Sequence, residues 1–315
     1  MKKLTLISLA ALTMAACSND EHDECMNGRQ ELRLTSVLEA ATRGDVQSLQ
    51  IAEGEKVWTW VNKTEGSAPL YKALQLTADV GGVLKGTTPI YFPEAGGAVD
   101  VFALHGKITS PEINAGATDI PAEVGFEVAA DQSGTDFANY KASDLLYAVQ
   151  NKVEAGEEAS TTCSLRFYHM LSKLEVDITL GDGVKNDIQS VTLDGVALNG
   201  TFIPNAEADL AKQSDRVAMI KVGEDVTGKL TLSHKLKADG SNDAIVVPQS
   251  IAGKKLTFNL PDNVSYSYTF PEGKTFESGK KHHYNVTLTN KGLEVDSTIE
   301  DWESAGEENN GTALN

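Results

Sequence analysis

KLEVDITL, residues 173–180, sets Leu174, Val176, Ile178 and Leu180 in strict alternation with Lys173, Glu175, Asp177 and Thr179. Successive side chains of a strand point to opposite faces, so this period of two describes a β-strand with one face on a core and the other in water. Working outward, the same grammar recurs downstream in IQSVTLDG, NGTFI, RVAMIKV, GKLTLSHKL, AIVVP, KKLTFNL, VSYSYTF, HHYNVTLT and GLEVDSTI. The spacings are about ten residues, with turn-forming GDG, ADGSND and PDN between the runs, and short strands punctuated in this way predict an antiparallel sandwich.

Upstream, VQSLQI, KVWTWV, YKALQL, PIYFP and AVDVFALHG are separated by Gly, Pro and Asn clusters such as NKTEGSAP and EAGGA, which predicts a first sandwich. Residues 107–139 are rich in Gly, Ala and Asp and read as long loops, closed by SDLLYAVQ at 143–150. The hydrophilic stretch NKVEAGEEASTT, residues 151–162, reads as the connector, giving sandwiches over 44–155 and 156–315, the second ending in a polar tail. A chain of 315 residues suits two domains of roughly 120 to 150 residues each. Little of the sequence has helical periodicity. Open sandwiches expose unpaired N–H and C=O groups along their edges, and a free strand can occupy them.

The N-terminus carries an address. Residues 1–16, MKKLTLISLAALTMAA, have the charged start, apolar run and small residues of a secretory signal. LTMAAC, ending at Cys17, resembles the bacterial lipobox, which implies a lipidated cysteine at the new N-terminus and anchoring through several acyl chains. The acidic SNDEHDE that follows resembles the surface-export signals of lipoproteins in Bacteroidetes-type bacteria. Residues 18–30 read as a polar tether. Residues 31–39, ELRLTSVLE, place Leu32, Leu34 and Leu38 on one side of an extended segment, with Ser36 as the interruption; a short helix is the alternative.

Cleavage before Cys17 removes Lys2 and Lys3 and takes the formal charge from −18 to −20, a balance that repels nucleic acid. No later segment approaches the roughly 18 apolar residues of a spanning helix. Cys25 and Cys163 are too few for a disulfide framework.

Several stretches together resemble the fimbrillin family, the type V pilin subunits of Bacteroidetes-type bacteria. They are the lipobox at 12–17, ATRGD at 41–45, DLLYA at 144–148, LRFYHMLSKLEVDI at 165–178, VVPQSIAGKKLTF at 246–258, TFESGKKHHYNVTL at 275–288 and GLEVDSTIEDW at 292–302. The resemblance implies two tandem transthyretin-like β-sandwiches behind a lipoprotein leader, residues 17–43, and a place in a cell-surface fimbria serving adhesion. It further implies that an arginine-specific surface protease cuts behind an early strand and that a strand from another fimbrial subunit fills the vacated groove. Carried onto this chain, Arg43 is the scissile residue, with Arg29 and Arg33 as competing sites, and Glu31, Leu32, Leu34 and Leu38 belong to the strand that leaves. Nine extended residues reach about 30 Å, long enough to fill a domain-length groove. The implied anchorage is to the outer membrane through the lipid on Cys17.

The chain departs from the expected pattern at its end. ESAGEENNGTALN, residues 303–315, offers few apolar positions for a donor strand. GLEVDSTIEDW has Leu293, Val295 and Ile299 on one side but reads as the last strand of its own domain. A tip or accessory subunit, which accepts a strand without giving one, fits that departure.

No catalytic or cofactor set can be assembled. HExxH, Cys/His zinc spacing, GxSxG, the P-loop and GxGxxG do not occur, and neither an enzyme nor a cofactor is expected. His282 and His283, adjacent in a strand, should face opposite ways, and His169 reads as a packed residue. Asp182 with Asp187 and Asp239 with Asp243 sit in turn-rich sequence whose own chemistry accounts for them. Asp296-Ser297-Thr298 resembles a bacterial O-glycosylation acceptor. A second functional reading, a monomeric surface lipoprotein that binds glycans, needs Trp58, Trp60, Tyr266 and Tyr268 at the surface.

Overall fold

The computed structural model describes residues 29–38, 49–116, 118–181, 183–184, 188–224, 227–234, 242–289 and 292–302. Cys17, Cys25, Arg43, Asp182, Asp187, Asp239 and the tail from residue 303 lie outside the described residues. The first strands are β1 (Glu31–Leu38), β2 (Lys56–Lys63), β3 (Pro69–Ala78), β4 (Val83–Lys85), β5 (Ile90–Tyr91) and β6 (Val99–His105). They are followed by β7 (Val124–Glu127), β8 (Leu146–Val153) and β9 (Ser160–His169). The second half contains β10 (Ser172–Leu180), β11 (Ser190–Ala197), β12 (Asn199–Phe202), β13 (Ile220–Val222), β14 (Thr227–Thr231) and β15 (Ser233–His234). It ends with β16 (Asn242–Val246), β17 (Lys255–Asn259), β18 (Ser265–Thr269), β19 (Lys280–Thr289) and β20 (Gly292–Asp301).

The architecture is all-β with sandwich-like sheets. In the first half the order is β4-β3-β2-β6-β8-β9-β1-β5, and a further pairing of β4 with β1 closes seven of these strands into a ring. Val57, Val61, Val99, Val101, Ala103, Leu146 and Ala148 fill its interior together with the leucines of β1. Trp58, Trp60, Phe102, Leu104 and Tyr147 alternate with them and face outward, into a second cluster continuous with the core of the other half. Strands β2, β6 and β8 are therefore buried on both faces. The outward layer is covered by residues 108–116 and 118–128, which include α1 (Pro111–Asn114) and β7, the latter pairing with β12 of the second half in a three-stranded sheet with β13.

In the second half a sheet ordered β15-β16-β10-β19-β20 packs against one ordered β14-β11-β17-β18. Leu174, Val176, Tyr284 and Val286 meet Val191, Leu193, Leu256 and Phe258 between them.

Several expectations change. Residues 151–162 are not a connector between sandwiches: they lie at the turn joining β8 to β9, and β9 pairs with β8 and β1 in the first sheet. The passage between sheets falls at Met170 and Leu171. VQSLQI forms no strand in its described part, and RVAMIKV begins in helix α3 (Gln213–Ala218), where Arg216 is buried with its guanidinium above the Tyr168 ring.

In β10 the polar row is not wet at its start, since Lys173 is 0 % and Glu175 3 % exposed. Asp243 belongs to β16 rather than to a turn, and its carboxylate lies 3.2 Å from Lys173 Nζ. Glu175 lies 3.5 Å from the same ammonium. The segment around α2 (Ala138–Ser143) covers this face, with Gln132 hydrogen-bonded to both backbone groups of Ile245. A period of two reports which side chains share a face, whereas the covering layer comes from a distant part of the chain.

Candidate functional site

Residues 31–38 form strand β1 and not the alternative short helix. Leu32, Leu34 and Leu38 are each 2 % exposed and point into the ring interior, with Ser36 between them at 3 %. Val37, on the opposite face, is 42 % exposed. Along one edge β1 pairs in parallel with β9 over its whole length, from Glu31 beside Ser160 to Leu38 beside Phe167. Its other edge meets β5 only at Glu31 and Leu32, and β4 only at Leu34 and Thr35. A cavity of about 360 Å³ opens along this broken edge, lined by Leu32 and Leu34 on one side and Leu84, Pro89 and Ile90 on the other.

Among the described residues, both ends of β1 are held by partners in the first half. Gln30 Nε2 donates to the carbonyls of Gly156 and Glu158 at 2.9 and 2.6 Å, and Arg29 pairs with Glu94. At the far end the Leu38 N–H donates to Leu49 O at 3.0 Å. In sequence, the only covalent link from β1 to the rest of the first half is residues 39–48, which contain Arg43.

Cys163 lies beside Leu34 in the β1–β9 register and faces the same interior, where burial pushes its thiol up to about 11. This thiol is a shielded core group that the strand covers.

The family-like stretches meet elsewhere, at the passage between the halves. Asp144 and His169 are hydrogen-bonded at 3.1 Å, and the Trp302 ring stacks on His169 with centroids 3.8 Å apart. Ser278 Oγ donates to Met170 O at 2.7 Å, and the Gly279 N–H to Leu171 O at 2.8 Å. DLLYA, LRFYHML, TFESGKK and the terminal EDW thus build one joint. The pairing of Asp144, His169 and Trp302 had no signal in sequence beyond a lone aromatic in an acidic tail.

The joint lies within the part of the chain that matches a known family, whereas β1 precedes it. The profile of the fimbrillin-like family matches residues 42–302. The chain belongs to the fimbrillin-like family. A protein of Bacteroides uniformis named as a candidate fimbrium subunit, Fim1C, is 25 % identical over 327 residues, covering 96 % of both chains. Among solved structures, a candidate cell adhesion protein of Bacteroides uniformis superposes with a TM-score of 0.62 at 22 % identity, covering 89 % of this chain and all of the other. The tip fimbrial protein Mfa3 of Porphyromonas gingivalis, truncated at its C-terminus, superposes at 0.53 and 11 % identity, covering 87 % of this chain and 100 % of that one. These structural likenesses bear on the fold.

The remaining residues singled out in the sequence are dispersed. Trp58 and Trp60 are 7 % and 3 % exposed and Trp60 Nε1 donates to Thr118 O at 2.9 Å, so they form no exposed platform. His282 is buried and its Nε2 accepts from the Glu277 N–H at 3.1 Å, whereas His283 turns to Asp177 at 2.8 Å on the other face. No group of three or more His, Cys, Asp or Glu that could hold a metal occurs among the described residues.

Proposed function

We propose that this fimbrillin-like chain is a structural or tip subunit of a type V pilus, built as two transthyretin-like units behind a lipidated leader and serving adhesion. Cys17 carries the lipid that anchors it to the outer membrane during export, and the protein works mechanically, without catalysis. An arginine-specific surface protease cuts after Arg43, β1 leaves, and a strand of another fimbrial subunit takes its place.

The observation that carries this reading is the position of β1. It is integral to the ring, yet it is N-terminal, only partly paired along one edge, and tethered to the body through the ten residues that include Arg43. Three buried leucines contribute roughly 1.5 to 3 kcal/mol each, so a cut strand stays in place until a competitor displaces it. Added strands of this kind gain affinity from main-chain hydrogen bonds and specificity from alternate side-chain pockets.

The test is limited proteolysis of the folded precursor with an arginine-specific protease, followed by mass spectrometry and size-exclusion chromatography. A cut after Arg43 with higher-order species appearing afterwards is expected. An intact Arg43 bond in the folded protein, with no multimers at any protease dose, would sink the proposal.

A further inference from the structure

The groove that β1 fills is not uniform. Three of its four inward positions hold leucines, but the third holds Ser36, whose Oγ donates to Gly82 O at 3.1 Å and accepts from the Ile51 N–H at 3.3 Å. Gly82 has φ +75°, and a Cβ there would sit 2.6 Å from the Ser36 carbonyl oxygen. The polar groups that face the third side chain, Gly82 O and the Ile51 N–H, are backbone, which cannot withdraw as a flexible side chain can. A leucine in the third site would be overpacked and would leave two buried backbone groups without the hydroxyl that serves them.

Resting on the strand-exchange reading above, we propose that this third pocket is a register and direction key. An entering strand must run parallel to β9 and carry a small hydroxyl-bearing residue at the third of its four inward positions. Because the key is off-centre, the requirement has a direction: reversing a strand moves its hydroxyl to the second position and drives an apolar side chain into the polar pocket.

Another segment of the chain meets the requirement with Leu, Val or Ile at all three other inward positions. LEVDSTI at 293–299 matches LRLTSVL at 32–38 position for position, with Leu293, Val295, Ser297 and Ile299 in the places of Leu32, Leu34, Ser36 and Leu38. In this structure it lies in β20, an edge strand paired with β19, where Leu293 and Val295 are half-buried and Ile299 is 49 % exposed. The groove holds the three inward leucines of β1 at 2 % exposure, so the same pattern loses more apolar surface there than at the edge. Residues 303–315 contain no such pattern. The occupant that fits is residues 293–299 of a second copy.

The test uses the full chain, cut by the arginine-specific protease and challenged with fluorescent peptides. The probes are residues 30–39, the same peptide with Ser36→Leu, residues 292–301, that peptide with Ser297→Leu, and 292–301 in reversed order. Since the variants lie in the peptides, folding of the protein is not at stake. Residues 30–39 and 292–301 are expected to bind, with each leucine variant at least about thirtyfold weaker and the reversed peptide at least about tenfold weaker, as burial of an ill-fitting group in a shaped pocket implies. If the native 30–39 peptide does not enter the cut protein, strand exchange itself is wrong. If it enters and its leucine variant binds within twofold, the key alone is wrong. If 30–39 binds and 292–301 does not, the assignment of the second copy's strand is overturned.

Discussion

Each half of the molecule opens with a strand that lies parallel to a strand near that half's end. β1 runs beside β9 over eight residues, and β10 runs beside β19 over eight. The two slots share a topology and differ in how the strand is held. β10 continues from β9, sits between two partners with five further pairs to β16, and carries Lys173 and Glu175 into a covered ionic cluster. β1 has no continuous second partner, no buried charge, and a cavity along its broken edge. Apolar side chains fit any groove of the right shape, while a buried ion pair demands its own partner. The same slot is thus held by apolar side chains in one half and by a covered ionic cluster as well in the other.

The sharpest way to break this comparison is to remove a charge from the β10 slot. Lys173→Met should leave Glu175 and Asp243 buried without their shared ammonium and destabilise the protein by about 3 to 5 kcal/mol. Urea unfolding of the precursor measures this, and a loss below about 1 kcal/mol would mean that the cluster does not lock β10.

In the β1 slot, Leu34→Ala removes one buried leucine and should cost about 3 kcal/mol in the uncut chain, the range for such a residue. After cutting at Arg43 the same change should hasten loss of the leader fragment that ends at Arg43, as followed by mass spectrometry.

Acid separates the halves by another route. Burial pushes His282 down to about 4; the Glu277 carboxylate opposes this, while Lys274 and Lys280 add to it. Between pH 6.5 and 4 an unfolded histidine takes up a proton that folded His282 refuses. The unfolded state then binds more protons, so stability is full above pH 6.5 and falls as pH drops toward 4, by about 3 kcal/mol in all. Hydrogen exchange at pH 7 and pH 4.5 should show the protection loss centred on β19, and His282→Gln should flatten the profile.

Departure of β1 should free Cys163. With its thiol pushed up to about 11 by burial, reaction at pH 8 is slow in the closed ring. Exposure should speed thiol-reagent labelling by about a hundredfold, through the larger thiolate fraction, in a chain whose Cys17 and Cys25 are replaced. An unchanged rate after strand loss would show that the ring recloses over the gap.

The smallest effect belongs to Arg33→Gln. Arg33 and Glu31 pair at 2.8 Å on the surface, with the arginine side chain 60 % exposed, so the change should shift stability by less than about 0.5 kcal/mol. It also removes a competing protease site within β1.

Much of this was legible in the residues. The alternation of KLEVDITL and of ELRLTSVL marked two strands and which side chains share a face, because the period of a strand is a local property of the backbone. The lone Ser36 was visible as an interruption, but its partners, Gly82 and Ile51, lie 46 and 15 residues away and carry no mark in sequence. The hydrophilic run at 151–162 looked like a boundary because hairpin turns and linkers share a composition. RVAMIKV looked like a strand because its apolar spacing is short enough to suit either element.

The sequence by itself determined the all-β class, the faces of its strands, the acidic character and the family, since composition, period and motif are written along the chain. Tertiary structure alone decided that β1 closes a ring, that the polar row of β10 is roofed, that Trp58 and Trp60 are core, and that the third pocket is polar. Each of these depends on which distant segment covers a given face, and coverage is a property of the folded whole.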